Sequence, residues 1–369
     1  MATHPHPPAA ASALPPRQFT FDDAQRVLQL STQDSRIGRK TKEALDITNQ
    51  AISTYGLEHV ALSFNGGKDC TVLVHLLAAA ILRHLSSSLP SSSSSPSSSS
   101  SATHLPPIPT VYVRCPSPFP QVEAFVSLCV GWYNLDLEAI EGGMKEALGA
   151  YLEHQGRRAE GAREVKAVLV GVRRADPHGA TLTPLCPTDP TWPQFMRVHP
   201  ILDWTYGDVW AFLRAAELTL GSGSGAGGRE GEGGRLGLEW CELYDYGYTS
   251  LGSTHNTFPN PLLRATTTDG HYVGSTGAQG GGKEVEPAPL GGWRPAWELE
   301  DEEAERAGRD ASLASIQART ATLSNPASPT SPTGPSSSST SSSAAVTALP
   351  ASNGLAPQPQ GGVQERTNE

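Results

Sequence analysis

The stretch from Val60 to Leu77, VALSFNGGKDCTVLVHLL, constrains this chain more than any other. A short apolar run enters a polar turn and leaves as a longer apolar run, the pattern of strand, loop and helix. The turn holds Ser63, Asn65, Gly66, Gly67, Lys68 and Asp69. Its two glycines let backbone N–H groups approach an anion closely. The helix that begins near Asp69 points the positive end of its dipole at the same place. Lys68 adds a mobile point charge. Together these suit a pyrophosphate group. GxxxxGK[ST] is absent, so the turn is not a Walker A loop. An ordinary strand-to-helix turn with a capped helix is the competing reading.

Along the chain, strands and helices alternate. Apolar positions recur on one side of residues 36–55, and Gly56 ends that helix. Strands are expected at 59–64, 110–113, within 133–140, at 166–171 and at 198–202. Helices are expected at 69–85, 119–130, 142–155 and 204–217. This alternation predicts an α/β fold, a doubly wound parallel sheet with flanking helices. Ligands of such sheets sit outside the carboxyl ends of the strands. The candidate site loops are therefore 63–69, 114–120 and 171–197.

The third loop, GVRRADPHGATLTPLCPTDPTWPQFMR, has five prolines and no clear regular structure of its own. Its arginines, carboxylates and aromatics (Arg173, Arg174, Asp176, Asp189, Trp192, Phe195 and Arg197) fit a segment that covers a ligand; a proline-stiffened surface excursion is the alternative. Trp192 suits core filling as well as ring stacking. Near the end, WRPAWELEDEEAERAGRD places Glu302 four residues before Arg306 and Glu305 four before Arg309. On pattern alone this is an exposed, salt-bridged helix ended by Gly308.

Much of the 369-residue chain cannot build a core. Residues 86–101 are almost pure serine, 221–234 and 275–282 are glycine-rich, and 310–369 hold few large apolar side chains. Such segments bury too little surface to offset their ordering entropy. One globular domain, 18–309, with low-complexity insertions and a disordered tail, is expected. A net charge of −10 argues against a sequence-independent nucleic-acid binder. A small anionic ligand stays possible in a locally cationic pocket. The five cysteines form no CxxC pair and no zinc pattern, and read as reduced thiols in the cytoplasm. No charged leader with an apolar core is present, and no run of 18 apolar residues. No membrane association and no obligate protein partner are expected.

Five blocks in order carry a resemblance. SFNGGKDCTVL at 63–73 resembles the phosphate loop of the PAPS-reductase-like ATP-utilising group, which cleaves between the α and β phosphates. With GVRRADP at 171–177, CPTDPTWPQFMRVHPILDW at 186–204, GYTSLGSTHNTFPNPLLR at 247–264 and ELEDEEAERAGR at 298–309, it is similar to the eukaryotic FAD synthases of the fungal single-domain type, the FMN adenylyltransferases. The resemblance implies an adenine-nucleotide alpha-hydrolase-like fold with a C-terminal flavin-covering segment. It implies ATP and FMN as substrates, FAD as product and Mg²⁺ as cofactor. It makes Asn65, Lys68, Asp69 and Asp176 catalytic, with Asp69 also the metal ligand. Ser63, Asn65, Gly66, Gly67, Lys68, Arg114, Gly171 and Arg173 would hold ATP. Asp189, Trp192, Arg306 and Arg309 would hold the flavin.

The rivals are a sulfonucleotide reductase of the same fold group, a non-catalytic nucleotide-binding protein, and an interaction protein built around the serine tracts with the folded part as a passenger. A sulfonucleotide reductase needs a nucleophilic cysteine, typically in a mobile tail, yet the last cysteine is Cys241. A non-catalytic nucleotide-binding protein would show a damaged loop, but Lys68, Asp69 and both glycines are intact. The composition itself yields a prediction: deleting 87–100 or 310–369 leaves the thermal midpoint and turnover close to those of the full chain. A large drop in melting temperature after either deletion would reveal a packed element there.

Overall fold

In a computed structural model the described residues are 18–87, 104–158, 161–219, 237–265 and 292–309, with the backbone alone of 267–268 and 271–272. The serine run from residue 88, both glycine-rich insertions and the segment 310–369 lie outside them.

The strands are β1 (Val60–Ser63), β2 (Ile108–Arg114), β3 (Leu135–Glu141), β4 (Ala167–Leu169), β5 (Leu185–Pro187) and β6 (Met196–Val198), in spatial order β3-β2-β1-β4-β6-β5. All neighbours are parallel except β5, which runs antiparallel to β6 at the edge. The chain moves outward from β1 to β2 and β3, then returns to the other side of β1 for β4. The switch point is thus between β1 and β4, where the loops following them part company and leave a crevice.

Alternation along the strands sends side chains to opposite faces. Val60 and Leu62 of β1, with Ala167 and Leu169 of β4, join the larger core cluster. It is covered by α1 (Phe21–Ser31), α2 (Arg36–Tyr55), α3 (Lys68–Ser87), α4 (Pro120–Trp132) and α6 (Tyr206–Leu213). Ala61, Val111 and Val168 point the other way, under α5 (Met144–Arg157) and the chain around Phe195. α3 is apolar enough to cross a membrane by length and composition, but 72% of its apolar window is buried inside the fold. It is the central helix of the core.

Local chemistry sets the helix ends. Ser35 caps α2 by accepting from the Gly38 amide, and Gly56 ends it at φ 85°. Thr20 with Asp23, and Thr205 with Asp208, form capping boxes on α1 and α6. Asp208 also accepts from Arg36 Nε at 2.6 Å and Nη2 at 2.8 Å, tying the start of α2 to the start of α6.

Some expectations shift. α1 was not foreseen. Ser86 and Ser87, assigned to the serine insertion, complete α3. The strand expected at 198–202 lies at 196–198, because Pro200 has no N–H to continue the ladder. The helix expected at 204–217 ends at Leu213 and is followed by one 3₁₀ turn, Ala216–Leu218. The long loop contributes β5, a three-residue edge strand ending on Pro187. A two-residue hairpin, β7 (Thr267–Thr268) with β8 (His271–Tyr272), lies apart from the main sheet.

Residues 247–264 have almost no regular structure but are tightly held. Asn260 is fully buried. Its Nδ2 donates to Thr249 Oγ1 at 3.0 Å and to the Ala304 carbonyl at 2.8 Å, and its Oδ1 accepts from the Leu262 amide at 3.1 Å. Edge-on contacts of Trp210 with Tyr244 (5.3 Å) and Trp240 (5.5 Å), and of Trp240 with Trp297 (5.2 Å), pack the C-terminal part of the chain against α6. Asn260→Ala removes three hydrogen bonds from a dry site and is expected to cost about 1–3 kcal/mol of unfolding free energy. Urea denaturation followed by tryptophan fluorescence measures it.

Candidate active site

The phosphate loop leaves β1 at the centre of the sheet. Gly66 takes φ 73°, where a Cβ would also press on Val126 at 3.0 Å. Only glycine meets both conditions without strain. Asn65, which is exposed, folds its Oδ1 back to accept from the Gly67 amide at 2.9 Å. α3 then starts at Lys68. The loop after β4 comes close from the other side: a Cβ on Gly171 would stand 3.3 Å from the Asp69 carbonyl carbon and 3.2 Å from Cys70 Sγ.

Behind this turn lies a buried ionic cluster. Lys68 and Arg173 are 2% and 1% exposed. Lys68 Nζ sits 3.0 Å from Asp69 Oδ2 and 2.5 Å from Glu305 Oε1. Arg173 Nη2 donates to both oxygens of Glu305, at 2.8 and 2.6 Å. Arg173 Nε stands 2.8 Å from Asp69 Oδ1, close enough for an ion pair though not aligned as a hydrogen bond, so neither atom has a hydrogen-bond partner among the described residues. Asp176 Oδ2 accepts from the Arg173 amide at 2.8 Å. Tyr206 and Tyr244 present their rings to Lys68 Nζ at 5.3 and 5.9 Å, and the Tyr244 hydroxyl accepts from the Lys68 amide at 2.9 Å.

The charges follow from these contacts. Burial opposes the positive charge of Lys68, but Asp69 and Glu305 outweigh it and hold its pKa above the usual lysine value. Burial likewise opposes ionisation of Asp69, and Lys68 and Arg173 reverse this, keeping its carboxyl below the usual range. Arg173 is raised despite burial, by Asp69 and Glu305. Asp176 goes the other way: burial pushes its carboxyl up, against the pull of the Arg173 amide.

Lys68 is therefore not the mobile point charge expected from the sequence. It is locked between two carboxylates. The C-terminal segment is also different. Residues Glu302–Arg309 wind as a 3₁₀ helix. Its period of three puts 302, 305 and 308 on one face, and residues four apart no longer stack. The ion pairs expected from Glu302 to Arg306 and from Glu305 to Arg309 do not form. Glu302 instead accepts from the Gly207 and Tyr206 amides at 2.9 and 3.3 Å, at the start of α6, and Glu305 turns inward to the cluster. Gly308 does not end the helix. It packs its backbone on Phe258, where a Cβ would meet the carbonyl oxygen at 2.3 Å.

Other expected site residues scatter. Arg306 is exposed at the surface of the segment. Arg309 is half-buried, donates to the Leu251 carbonyl at 2.5 Å and lies over Gly252. Burial first, then Arg306, lowers its pKa. Arg114 does not reach the cluster: at the end of β2 its guanidinium pairs with Glu123 at 2.9 Å and Glu141 at 3.2 Å. Asp189 is exposed and forms a turn with Trp192. Trp192 is partly buried and packs against the cluster of Leu148, Tyr151 and Phe195 beside α5. Ser63 is half-buried at the mouth of the loop. Glu305 was missed, because in sequence it is one acid among several before two arginines. Tyr206 and Tyr244 were missed as ordinary core aromatics.

The phosphoadenosine phosphosulfate reductase domain family matches residues 59–222. A probable FAD synthase of Schizosaccharomyces pombe is 33% identical over 267 residues, covering 72% of this chain and 77% of that protein. The chain belongs to the FAD synthase family. A probable FAD synthase of Caenorhabditis elegans is 34% identical, over 64% of this chain but 37% of its own length. FMN adenylyltransferase of Candida glabrata, solved with FAD and inorganic pyrophosphate, is 25% identical with a TM-score of 0.57, covering 78% of this chain and 99% of that one. FAD synthase membership sets aside the sulfonucleotide-reductase alternative, in keeping with the lack of a cysteine after Cys241.

The ionic cluster predicts a pH signature. Asp69 has a depressed folded pKa, so its stabilisation is complete above the ordinary 3.8 and disappears as pH falls through the lower folded value. Lys68 is the mirror case: its contribution is complete below 10.5 and is lost as pH rises through its higher folded value. The raised Asp176 gives the opposite slope on the acid side. The gap in unfolding free energy between the parent and Asp69→Asn should be flat from about pH 5 to pH 9 and shrink below about pH 4. Urea titrations across that range test it.

Proposed function

We propose that this protein transfers the adenylyl group of ATP to the 5′-phosphate of FMN, forming FAD and pyrophosphate, with Mg²⁺. The observation that carries the reading is the glycine loop set on an ion-paired Lys68–Asp69–Arg173 cluster at the switch point, in a chain of the FAD synthase family. The Candida glabrata enzyme has been solved with FMN and the ATP analogue AMPCPP, a pairing that matches both substrates.

No protein nucleophile is needed. An oxygen of the FMN phosphate attacks the α-phosphorus of ATP, and the bond to the β-phosphate bridge breaks. The protein's task is in-line positioning and cancellation of charge. The Gly67 and Lys68 amides are taken by Asn65 Oδ1 and the Tyr244 hydroxyl, so the remaining amides of residues 65–69 and the start of α3 would face the phosphates, and Asn65 shapes that turn and contacts them. Lys68 and Arg173 act from behind the turn by keeping Asp69 ionised and aimed. Mg²⁺ would neutralise the phosphates and draw off the leaving pyrophosphate. Asp69 is the carboxylate the family resemblance puts beside the metal; here both its oxygens face cations, Oδ1 at 2.8 Å from Arg173 Nε and Oδ2 at 3.0 Å from Lys68 Nζ, so holding Mg²⁺ would need one of those pairings to loosen. Asp176 stands beside the nucleotide. Asp189 accepts from the flavin imide N–H, and Arg306 with Arg309 meets the flavin or its phosphate. The five cysteines are unpaired, which supports a cytosolic setting.

Incubation with FMN, ATP and Mg²⁺ should yield FAD and pyrophosphate rather than orthophosphate; intact folded protein giving no FAD would sink the assignment. Asn65→Ala and Asp69→Ala should each lower the rate by about 10²-fold or more. Asp189→Ala should weaken FMN by about 1–3 kcal/mol and Arg306→Ala by about 0.5–2 kcal/mol, with ATP affinity little changed. Flavin fluorescence titration reads both.

A further inference from the structure

Glu305 is 237 residues from Lys68 and 132 from Arg173, yet its buried carboxylate engages both. Its neighbour in the chain is Arg306, exposed on another face of the same turn. Three further contacts hold the backbone around it. Thr249 Oγ1 donates to the Glu305 carbonyl at 2.6 Å, Asn260 Nδ2 donates to the Ala304 carbonyl at 2.8 Å, and the Phe258 amide donates to the Gly308 carbonyl at 2.9 Å. Those contacts fix the segment to Thr249, Phe258 and Asn260. Among the described residues, Glu305 is the one of this segment whose side chain pairs with the phosphate loop and with the loop after β4. Glu302, on the same face, reaches α6 instead.

We propose that Glu305 is a positioning residue: it sets the alignment between the arginine-bearing C-terminal segment and the phosphate loop, and so between the two substrates. The inference rests on the FMN adenylyltransferase reading. The chemistry requires such a link. An in-line transfer between two substrates depends on their mutual placement, and a shift of about 1 Å can lower the rate by about 10²-fold without weakening either one. A carboxylate suits the role. It balances two buried cations at once, and Arg173 presents one nitrogen to both of its oxygens, which fixes the carboxylate in place. With an amide in its place, Lys68 and Arg173 would have Asp69 as their nearest remaining anion.

The test compares three variants with the parent in the full chain. Glu305→Gln is expected to keep the dissociation constants for FMN and for a non-hydrolysable ATP analogue within about threefold, while kcat falls by about 10²-fold. Glu305→Asp keeps the charge on a shorter stem, and its kcat should lie between the two. Should Glu305→Gln not fold, Glu305→Asp must still lose about tenfold in kcat at unchanged affinities. Glu302→Ala loosens the same segment at α6 without touching the cations, and should stay within about threefold of the parent in kcat. Parent-like kcat in a folded Glu305→Gln overturns the proposal. So does a loss that lies wholly in FMN affinity, or an equal loss in Glu302→Ala. A parent that makes no FAD would instead overturn the reading on which the inference rests.

Discussion

The buried ion cluster of Lys68, Asp69, Arg173 and Glu305 is the interaction on which the rest of this site depends. Removing four charged groups from water is costly, and their mutual attraction compensates only where geometry and hydrogen bonding are good. Here Lys68 meets two carboxylates and Arg173 three, with Asp176 at 3.6 Å the third, and two tyrosine rings close over the lysine. Such a cluster is poor evidence for stability. Its effect is on specificity of arrangement, because losing any one member leaves a buried charge without its counterpart. The phosphate loop, the loop after β4 and the C-terminal segment can meet in only one way.

Sheet topology makes that meeting possible. β1 and β4 are neighbours whose following loops diverge, and the crevice between them opens at the positive end of α3. Gly66 and Gly171 let the two loops lie against α4 and the start of α3 more closely than most side chains would allow. A chain with a net charge of −10 can thus present a local anion site. The amides and the helix dipole supply the positive potential, while the two cations are already balanced by carboxylates.

The C-terminal segment illustrates how winding decides chemistry. An α-helical reading pairs Glu302 with Arg306 and Glu305 with Arg309 on a solvated face. The 3₁₀ winding puts both glutamates on one face, Glu302 meeting the start of α6 at the surface and Glu305 buried in the ion cluster. Arg306 and Arg309, three apart, remain neighbours on a different face, close enough for Arg306 to help lower the pKa of Arg309. The same residues change from a surface salt-bridge ladder into a clamp, an exposed Arg306 and a half-buried Arg309.

By itself the sequence determined the βα alternation, the central phosphate loop and the family, because these are local or periodic signals. Apolar runs of period two and 3.6, glycines at a strand exit and capping residues act over a few neighbours. The loop residues Asn65, Gly66, Gly67, Lys68 and Asp69 were legible for that reason, while Gly171, Arg173 and Asp176 were put beside them by the family resemblance. Only the tertiary structure decided that Lys68 is buried, that Arg114 is held by Glu123 and Glu141, and that Trp192 packs partly buried beside α5. It alone brought Glu305, Tyr206 and Tyr244 to the phosphate loop, through contacts across 100 residues or more. A carboxylate in a run of acids carries no mark of the two cations that fold down upon it.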